Sequence, residues 1–316
     1  MKKGITITGE NTMNINSRNL IRSVLINLLF ITVAIVTMGG QCVGKVKPNP
    51  ERKLFLSKDS YYLFNPIWHP SDEWIYYLAI PDIGQSFHSN DPKFSGSIWR
   101  VKTDGTNDRM VLDGHYALLT ISHNGEKLAF IKGSYPYPND ENDNKIIIAD
   151  TSGVILDTIT ITRGETVSWV KFGRDNDKIY YSTQIAHDSI GYFRINIDGS
   201  GDELLFTRYG LYYYFDLFPN DSLYSQYRTV PALNPQSSNY VVFPDEINEV
   251  DLILKNLSTG ETDSLIAAPY GTPVYIDLPS WSPDGDKIIY CVGPQGGSYL
   301  SIKKLELWMV EGIELR

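Results

Sequence analysis

Cysteine, histidine and basic residues are scarce in this chain of 316 residues. Its two cysteines, Cys42 and Cys291, exclude a disulfide-stapled scaffold and a cysteine-rich zinc site. Asp and Glu outnumber Lys and Arg by 37 to 28, so the formal net charge is −9 and we expect no nucleic-acid partner. Outside an apolar run near the N-terminus, no long stretch has the 3.6-residue periodicity of an amphipathic helix.

Several catalytic and cofactor-binding motifs are absent as well. The chain has no G-x-S-x-G nucleophile elbow, no H-E-x-x-H zinc motif, no complete G-x-x-x-x-G-K-[ST] phosphate loop (Val46 follows the partial match at residues 39–45) and no dinucleotide fingerprint. The five histidines show no spacing typical of metal ligands. We therefore expect no cofactor and no metal site.

The apolar run, VLINLLFITVAIVTM at residues 24–38, follows Arg18 and Arg22. A short apolar core with a positively charged leading flank is typical of a secretory signal peptide. We predict that residues 1–41 are this signal, with Met13 as an alternative start. Because the run is shorter than the roughly 20 residues that cross a bilayer, an uncleaved anchor is the second interpretation.

Cys42 comes directly after the predicted signal and is a candidate for lipidation. Gln41 departs from the small residue that precedes the lipidated cysteine of bacterial lipoproteins, so an incidental cysteine is the alternative. Residues 42–52 then resemble a polar tether. We expect an exported protein, periplasmic or secreted, that contacts a membrane only through a lipid anchor or an uncleaved signal.

A repeat of about fifty residues follows the tether. Each copy has an apolar anchor, a tight turn rich in Pro, Asp, Asn and Gly, and an alternating strand, which together predict a β-hairpin. The anchors are Trp68, Ile121, Phe172, Leu233 and Trp281.

A second hairpin follows each first one, so that every repeat has four strands. Its turns contain Asp104-Gly105, Ser152-Gly153, Asp198-Gly199, Thr259-Gly260 and Glu311-Gly312. Acids beside two of these turns lack the spacing of a calcium loop, which favours plain hairpin turns. Repeated four-stranded sheets predict an all-β fold, a single β-propeller over residues 53–316.

The number of sheets, or blades, is less closely determined. Five second hairpins favour five blades. The interval from Phe172 to Leu233 is long, however, and it contains an extra turn at Phe218-Pro219-Asn220-Asp221. This turn belongs either to an elaborated fourth blade or to a degenerate sixth. Residues 53–56 are expected to form an outer strand that pairs with the last blade and covers its edge.

Two segments match a known repeat pattern. Residues 281–290 read WSPDGDKIIY and residues 98–105 read IWRVKTDG. These motifs resemble the TolB-type, WD-like β-propeller repeat family, and the resemblance covers about residues 53–316. The resemblance implies a propeller fold. The N-terminal α/β domain of TolB is absent, so neither partner nor activity carries over.

Two acids are weak catalytic candidates. Asp216 and Asp277 precede anchor-like residues on segments expected to line the propeller axis. A pair of carboxylates flanking a sugar bond could hydrolyse it, as in glycosidases. The alternative is a structural acid close to a turn.

Two long loops are candidates for ligand binding, because long loops in a rigid scaffold often carry function. They span residues 81–96 and 133–144, and two solvated insertions are the alternative. The candidate ligand-binding side chains in them are Phe87, Phe94, Tyr135, Tyr137 and Asp140.

We therefore expect an exported, non-catalytic propeller that binds a protein or glycan of the bacterial cell envelope. One alternative is a carbohydrate-active enzyme that uses carboxylates near the axis. A purely structural scaffold subunit is the other.

Overall fold

The computed structural model describes residues 52–82, 95–132, 144–164, 167–210, 214–225, 229–245, 251–266, 274–294, 305–313 and 315. Within these ranges the chain forms strands and turns without a helix, which confirms the predicted all-β class. No helix of the described part is therefore available to span a membrane. The predicted signal peptide and Cys42 lie outside these ranges.

The described residues form 21 strands. In chain order they are β1 (Arg52–Leu56), β2 (Tyr61–Trp68), β3 (Trp74–Pro81), β4 (Gly96–Lys102), β5 (Arg109–Ile121), β6 (Lys127–Lys132), β7 (Lys145–Asp150), β8 (Ile155–Thr160), β9 (Val167–Phe172), β10 (Lys178–Ala186), β11 (Ser189–Asn196), β12 (Glu203–Tyr209), β13 (Phe215–Leu217), β14 (Leu223–Ser225), β15 (Ala232–Leu233), β16 (Tyr240–Pro244), β17 (Leu252–Asn256), β18 (Thr262–Ile266), β19 (Val274–Trp281), β20 (Ile288–Pro294) and β21 (Glu306–Val310).

These strands pair with their neighbours along the chain in antiparallel sheets. Strands β9 to β12 form one four-stranded sheet and β15 to β18 another, while β13 and β14 form a two-stranded sheet between them. Strands β2 to β8 form a seven-stranded sheet. Its middle strand, β5, pairs with β4 through residues 109–116 and with β6 through residues 116–121, so the sheet consists of two four-stranded halves that share β5.

The last sheet has the order β1-β21-β20-β19 and thus combines both ends of the described chain. Arg52 lies opposite Val310 and Lys53 opposite Met309, and Lys53 Nζ is 2.8 Å from Glu311 Oε1. The predicted outer strand is confirmed, with its start at Arg52 instead of residue 53. The pairing covers the edge of β21 that an incomplete sheet would expose.

Lys58, a partly buried lysine, lies in the segment between β1 and β2. Lys58 Nζ lies 3.2 Å from the ring centre of Trp99 and 2.7 Å from Asp108 Oδ2. Burial lowers the pKa of Lys58, and the Asp108 carboxylate opposes that change. The cation–π contact and the ion pair together hold the segment between β1 and β2 against the seven-stranded sheet.

The turn after each anchor has one conformation in most repeats. In this four-residue turn, the backbone N–H of the last residue donates to the carbonyl of the first, for example Gly125 to Ser122 and Gly285 to Ser282 at 2.9 Å. The last residue of the turn has a positive φ, which glycine adopts without strain and which Asp and Asn tolerate. Asp221, in the extra turn, has the same bond to Phe218 and a φ of 61°.

The Asp residues of the second turns act as turn caps. Asp104 Oδ1 accepts hydrogen bonds from the Thr106 N–H and hydroxyl at 2.8 and 2.6 Å, and Asp198 binds Ser200 in the same way. No group of three or more His, Cys, Asp and Glu that could hold a metal is found in the described part of the chain. This geometry agrees with the hairpin-turn interpretation of these acids.

Six strands contact one another in a closed cycle. β2 contacts β5, β5 contacts β9, β9 contacts β13, β13 contacts β15, β15 contacts β19, and β19 contacts β2 again. Each of these six strands begins a sheet or, for β5, the second half of one. The described core is mostly aliphatic, and its largest fully buried side chains are aromatic rings, among them Tyr76, Tyr181, Tyr192 and Tyr290.

Candidate functional site

A cavity of about 340 Å³ lies among the six strands of this cycle, and each of them contributes to its wall. Much of the wall is apolar. Five prolines (Pro66, Pro70, Pro235, Pro279 and Pro283) and three tryptophans (Trp68, Trp169 and Trp281) belong to it. The volume falls in the range of small-ligand sites, which are largely apolar with a few polar groups.

The wall also includes turn residues at one end of the inner strands. Pro70, Ser122, Arg174, Gln236 and Pro283 all follow the last residue of the inner strand of their sheet. The cavity therefore reaches the end of the molecule at which these first hairpin turns lie.

Three inner strands bulge where they form the wall. Asn65, Leu118 and Leu278 have φ values of 49°, 54° and 52°, in the left-handed region that non-glycine residues rarely adopt. Each lies within a register shift of its strand pairing. Such strain persists only where surrounding structure enforces it and is frequent at functional sites. No sequence pattern signals these bulges, because leucine has no preference for this conformation.

The ionisable groups of the wall lie on one side, on β9, β13 and the turns that follow β5 and β9. They are His123, Lys171, Arg174 and Asp216. The other side, formed by β2, β15 and β19, contributes apolar and uncharged polar groups to the described wall. The cavity thus has an apolar side and a charged side.

Asp216 ties three strands together. Its Oδ2 accepts the Leu233 N–H at 2.8 Å, its Oδ1 accepts the Leu217 N–H at 3.0 Å, and Lys171 Nζ is 3.2 Å from Oδ1. Both carboxylate oxygens are therefore engaged. Carboxylates that accept such bonds from backbone and lysine stabilise the packing of the strands.

Asp277, the other acid considered from sequence, is placed differently. It lies on β19 opposite Cys291, and its Oδ1 accepts the Leu278 N–H at 2.8 Å. It is not part of the described cavity wall. Cys291 is fully buried; burial raises the pKa of its thiol, and the charge of Asp277 acts in the same direction.

Arg174 is the exposed cation of the wall. None of the described residues accepts a hydrogen bond from its guanidinium, whereas its backbone N–H donates to Asp221 Oδ1 at 3.0 Å. His123 stands beside it: although this residue is exposed, partial desolvation of its imidazole lowers the pKa of His123, and the charge of Arg174 lowers it further. A neutral His123 and a charged Arg174 form the polar rim at neutral pH.

The sequence did not single out Lys171, Arg174 or His123 as candidate site residues. Nothing in the local pattern distinguishes these cations from solvated ones. The aromatic and acidic candidates of the two long loops, and the lipidation candidate, lie outside the described residues: Phe87, Phe94, Tyr135, Tyr137, Asp140 and Cys42.

No protein-family model matches this sequence, and a search of curated proteins finds no relative. Among solved structures, the chain is similar to a chain from the crystal structure of a nidogen/laminin complex. The two share 12% identity over 82% of this chain and 88% of that one, with a TM-score of 0.43.

Proposed function

We propose that this protein is an exported, non-catalytic β-propeller that binds a protein or glycan partner through the cavity at its centre. The observation that carries the proposal is the wall of that cavity. It combines a broad apolar surface with a guanidinium, Arg174, to which the described residues offer no acceptor. An apolar pocket with a few directed polar groups is the usual form of a ligand site.

Within this proposal the propeller has six blades, one more than the five favoured by the repeat count. The closed cycle of six inner strands supports this number. So does the turn at Asp221, which repeats the geometry of the other first turns although β13 and β14 form only a two-stranded sheet. The TolB-type resemblance of the repeats is part of the same proposal.

The state of Asp216 supports binding over catalysis. Glycoside hydrolysis uses two carboxyl groups that face each other across the scissile bond. The described wall of the cavity has a single carboxylate, and its two oxygens are held by Lys171 and two backbone amides. A carboxylate engaged in this way is suited to holding β9, β13 and β15 together.

The ligand chemistry follows from the same side chains. Because Lys171 is paired with Asp216, Arg174 is the cation left to attract an anionic group. An arginine fork can bind a carboxylate or sulfonate through two parallel hydrogen bonds. The ligand group that fits is therefore an anion attached to an apolar body, with the body against the prolines and tryptophans.

A dye with this chemistry tests the site directly. Anilinonaphthalene sulfonate has a sulfonate and an aromatic body, and Trp68, Trp169 and Trp281 in the wall can transfer excitation to it. We expect saturable energy transfer in the unmodified protein. Arg174→Gln should weaken dye binding about tenfold, the loss of one hydrogen bond to a charged group.

Lys255→Gln is the matched control, since it removes one positive charge from β17, outside the cavity wall. Envelope extracts passed over immobilised protein should then yield a partner that Arg174→Glu fails to retain and Lys255→Glu retains. Equal dye affinity in both glutamine variants, or hydrolysis of glycans by the purified protein, would refute the proposal.

A further inference from the structure

A second group of cations surrounds one tryptophan away from the cavity. Arg100 Cζ lies 4.4 Å from the ring centre of Trp74, Lys102 Nζ lies 5.6 Å from it, and Arg109 Cζ lies 5.7 Å from it. Three positive charges on one indole are unusual, because each repels the others. We name these four residues the Trp74 cluster.

The register of the first sheet brings the cluster together. Trp74 lies opposite Lys102, and Arg100 lies opposite Arg109. Trp74 begins β3, Lys102 ends β4 and Arg109 begins β5, so all three lie at the same end of these antiparallel strands. The turns at this end of the strands are on the same end of the molecule as the rim of the cavity.

Arg100 is partly held by the adjacent half-sheet. Its Nη1 donates to the hydroxyl of Tyr76 at 3.1 Å and to the Thr151 carbonyl, in the turn after β7, at 3.4 Å. Its Nε is buried, and none of the described residues accepts from it. The charge is therefore fixed in place and incompletely compensated.

The acids around the cluster do not pair with all of its N–H donors. Lys102 Nζ is 3.4 Å from Glu73, whose side chain is more than half exposed, and the nearby Asp104 and Asp150 accept the hydrogen bonds of their own turns. Arg109 is exposed, and no described residue accepts from its guanidinium or pairs with it. One arginine fork thus remains open beside two further cations.

We propose that the Trp74 cluster is a docking site for a carboxylate of an acidic protein segment. Two arginines and a lysine at one edge match a carboxylate through bidentate hydrogen bonds and charge. A nucleic acid or an anionic membrane is a poorer match, because the protein has a net charge of −9 and repels an extended negative surface. A short acidic segment fits within the roughly 8–10 Å screening length of physiological salt, so the nearby cations act on it more strongly than the distant acids of the protein do.

A labelled hexaglutamate peptide is the probe, with hexaglutamine as its neutral counterpart, followed by fluorescence anisotropy on the full chain. We expect saturable binding of hexaglutamate, weakened by salt, and none of hexaglutamine. Arg109→Gln should lower the affinity about tenfold with an unchanged unfolding midpoint, since this side chain is exposed and holds no described hydrogen bond. Lys255→Gln should leave the affinity within twofold.

Three results would overturn the proposal: no binding of hexaglutamate, equal affinity in Arg109→Gln and the unmodified protein, or an equal loss in Lys255→Gln. Tighter binding of anionic vesicles or of an oligonucleotide, lost in Arg109→Gln, would assign the cluster to a different class of partner and overturn it too. Arg174→Gln separates this site from the cavity, because it should leave hexaglutamate binding at the Trp74 cluster intact.

Discussion

Trp68 and Trp281 occupy the same position in two repeats, yet only one of them has a partner for its indole N–H. Trp281 Nε1 donates to the Ala232 carbonyl on the preceding sheet at 3.0 Å. Trp68 Nε1 is buried without an acceptor among the described residues. Both side chains are about 95% buried, with 6% and 5% exposure. Substitution by phenylalanine should therefore affect the two sites unequally.

The expected difference can be worked out from these contacts. Both substitutions lose similar buried volume, so their packing losses should be similar. Trp281→Phe also loses a hydrogen bond between sheets, worth about 0.5–1.5 kcal/mol. Trp68→Phe removes a buried, unpaired donor, which should recover about 1–3 kcal/mol. Trp281→Phe should thus be less stable than Trp68→Phe by about 3 kcal/mol, the sum of the two central values.

Urea denaturation of the two variants measures this difference. The midpoints should separate while the slope of unfolding free energy against urea stays the same, because both variants expose the same surface on unfolding. Trp68→Ala and Trp281→Ala serve as references, and each should lose about 3–5 kcal/mol. Equal midpoints for the two phenylalanine variants would show that the hydrogen bond to Ala232 contributes nothing and would refute the reasoning.

Two further predictions concern the close contact between Gly153 and the Val111 carbonyl and the protonation of His123. Gly153→Ala should destabilise the protein by more than Gly105→Ala in the same denaturation assay, because a Cβ at Gly153 would lie 2.3 Å from the Val111 carbonyl whereas the space at Gly105 is open; similar losses would contradict this close approach. Since the pKa of His123 is lowered in the fold, the unfolded chain binds its proton first, and stability should fall as the pH drops from about 6.5 through the folded-state value. His123→Asn should lose less stability than the unmodified protein between pH 7.5 and pH 5, and an identical loss in both would show that the fold does not lower the pKa of His123.

The fold class and the local hairpins could be predicted because the signals are local. The turn at Ser282 to Gly285 is defined by four consecutive residues whose conformational preferences are known. The outer strand at residues 53–56 could be predicted as well, and its pairing with β21 confirms it. The extra turn at Asp221 was visible too, although the sequence left open whether it belonged to a separate sheet.

The candidate site was less accessible to such reasoning. Asp216 and Asp277 look alike in the sequence, and both lie on strands of the inner cycle. Only Asp216 is part of the described cavity wall, whereas Asp277 lies directly before the bulge at Leu278. A register shift of this kind changes which side chains face the centre, and it cannot be predicted from the types of residue at the shift.

By itself, then, the sequence determined the local elements: most of the hairpins, their turns and the pairing of residues 53–56 with the last sheet. These follow from residue preferences over a few positions and from repetition. The tertiary structure alone decided that Lys171, Arg174, His123 and Asp216 meet on one side of a cavity. They come from separate sheets, and their convergence depends on how the sheets pack, to which no local pattern of residues corresponds.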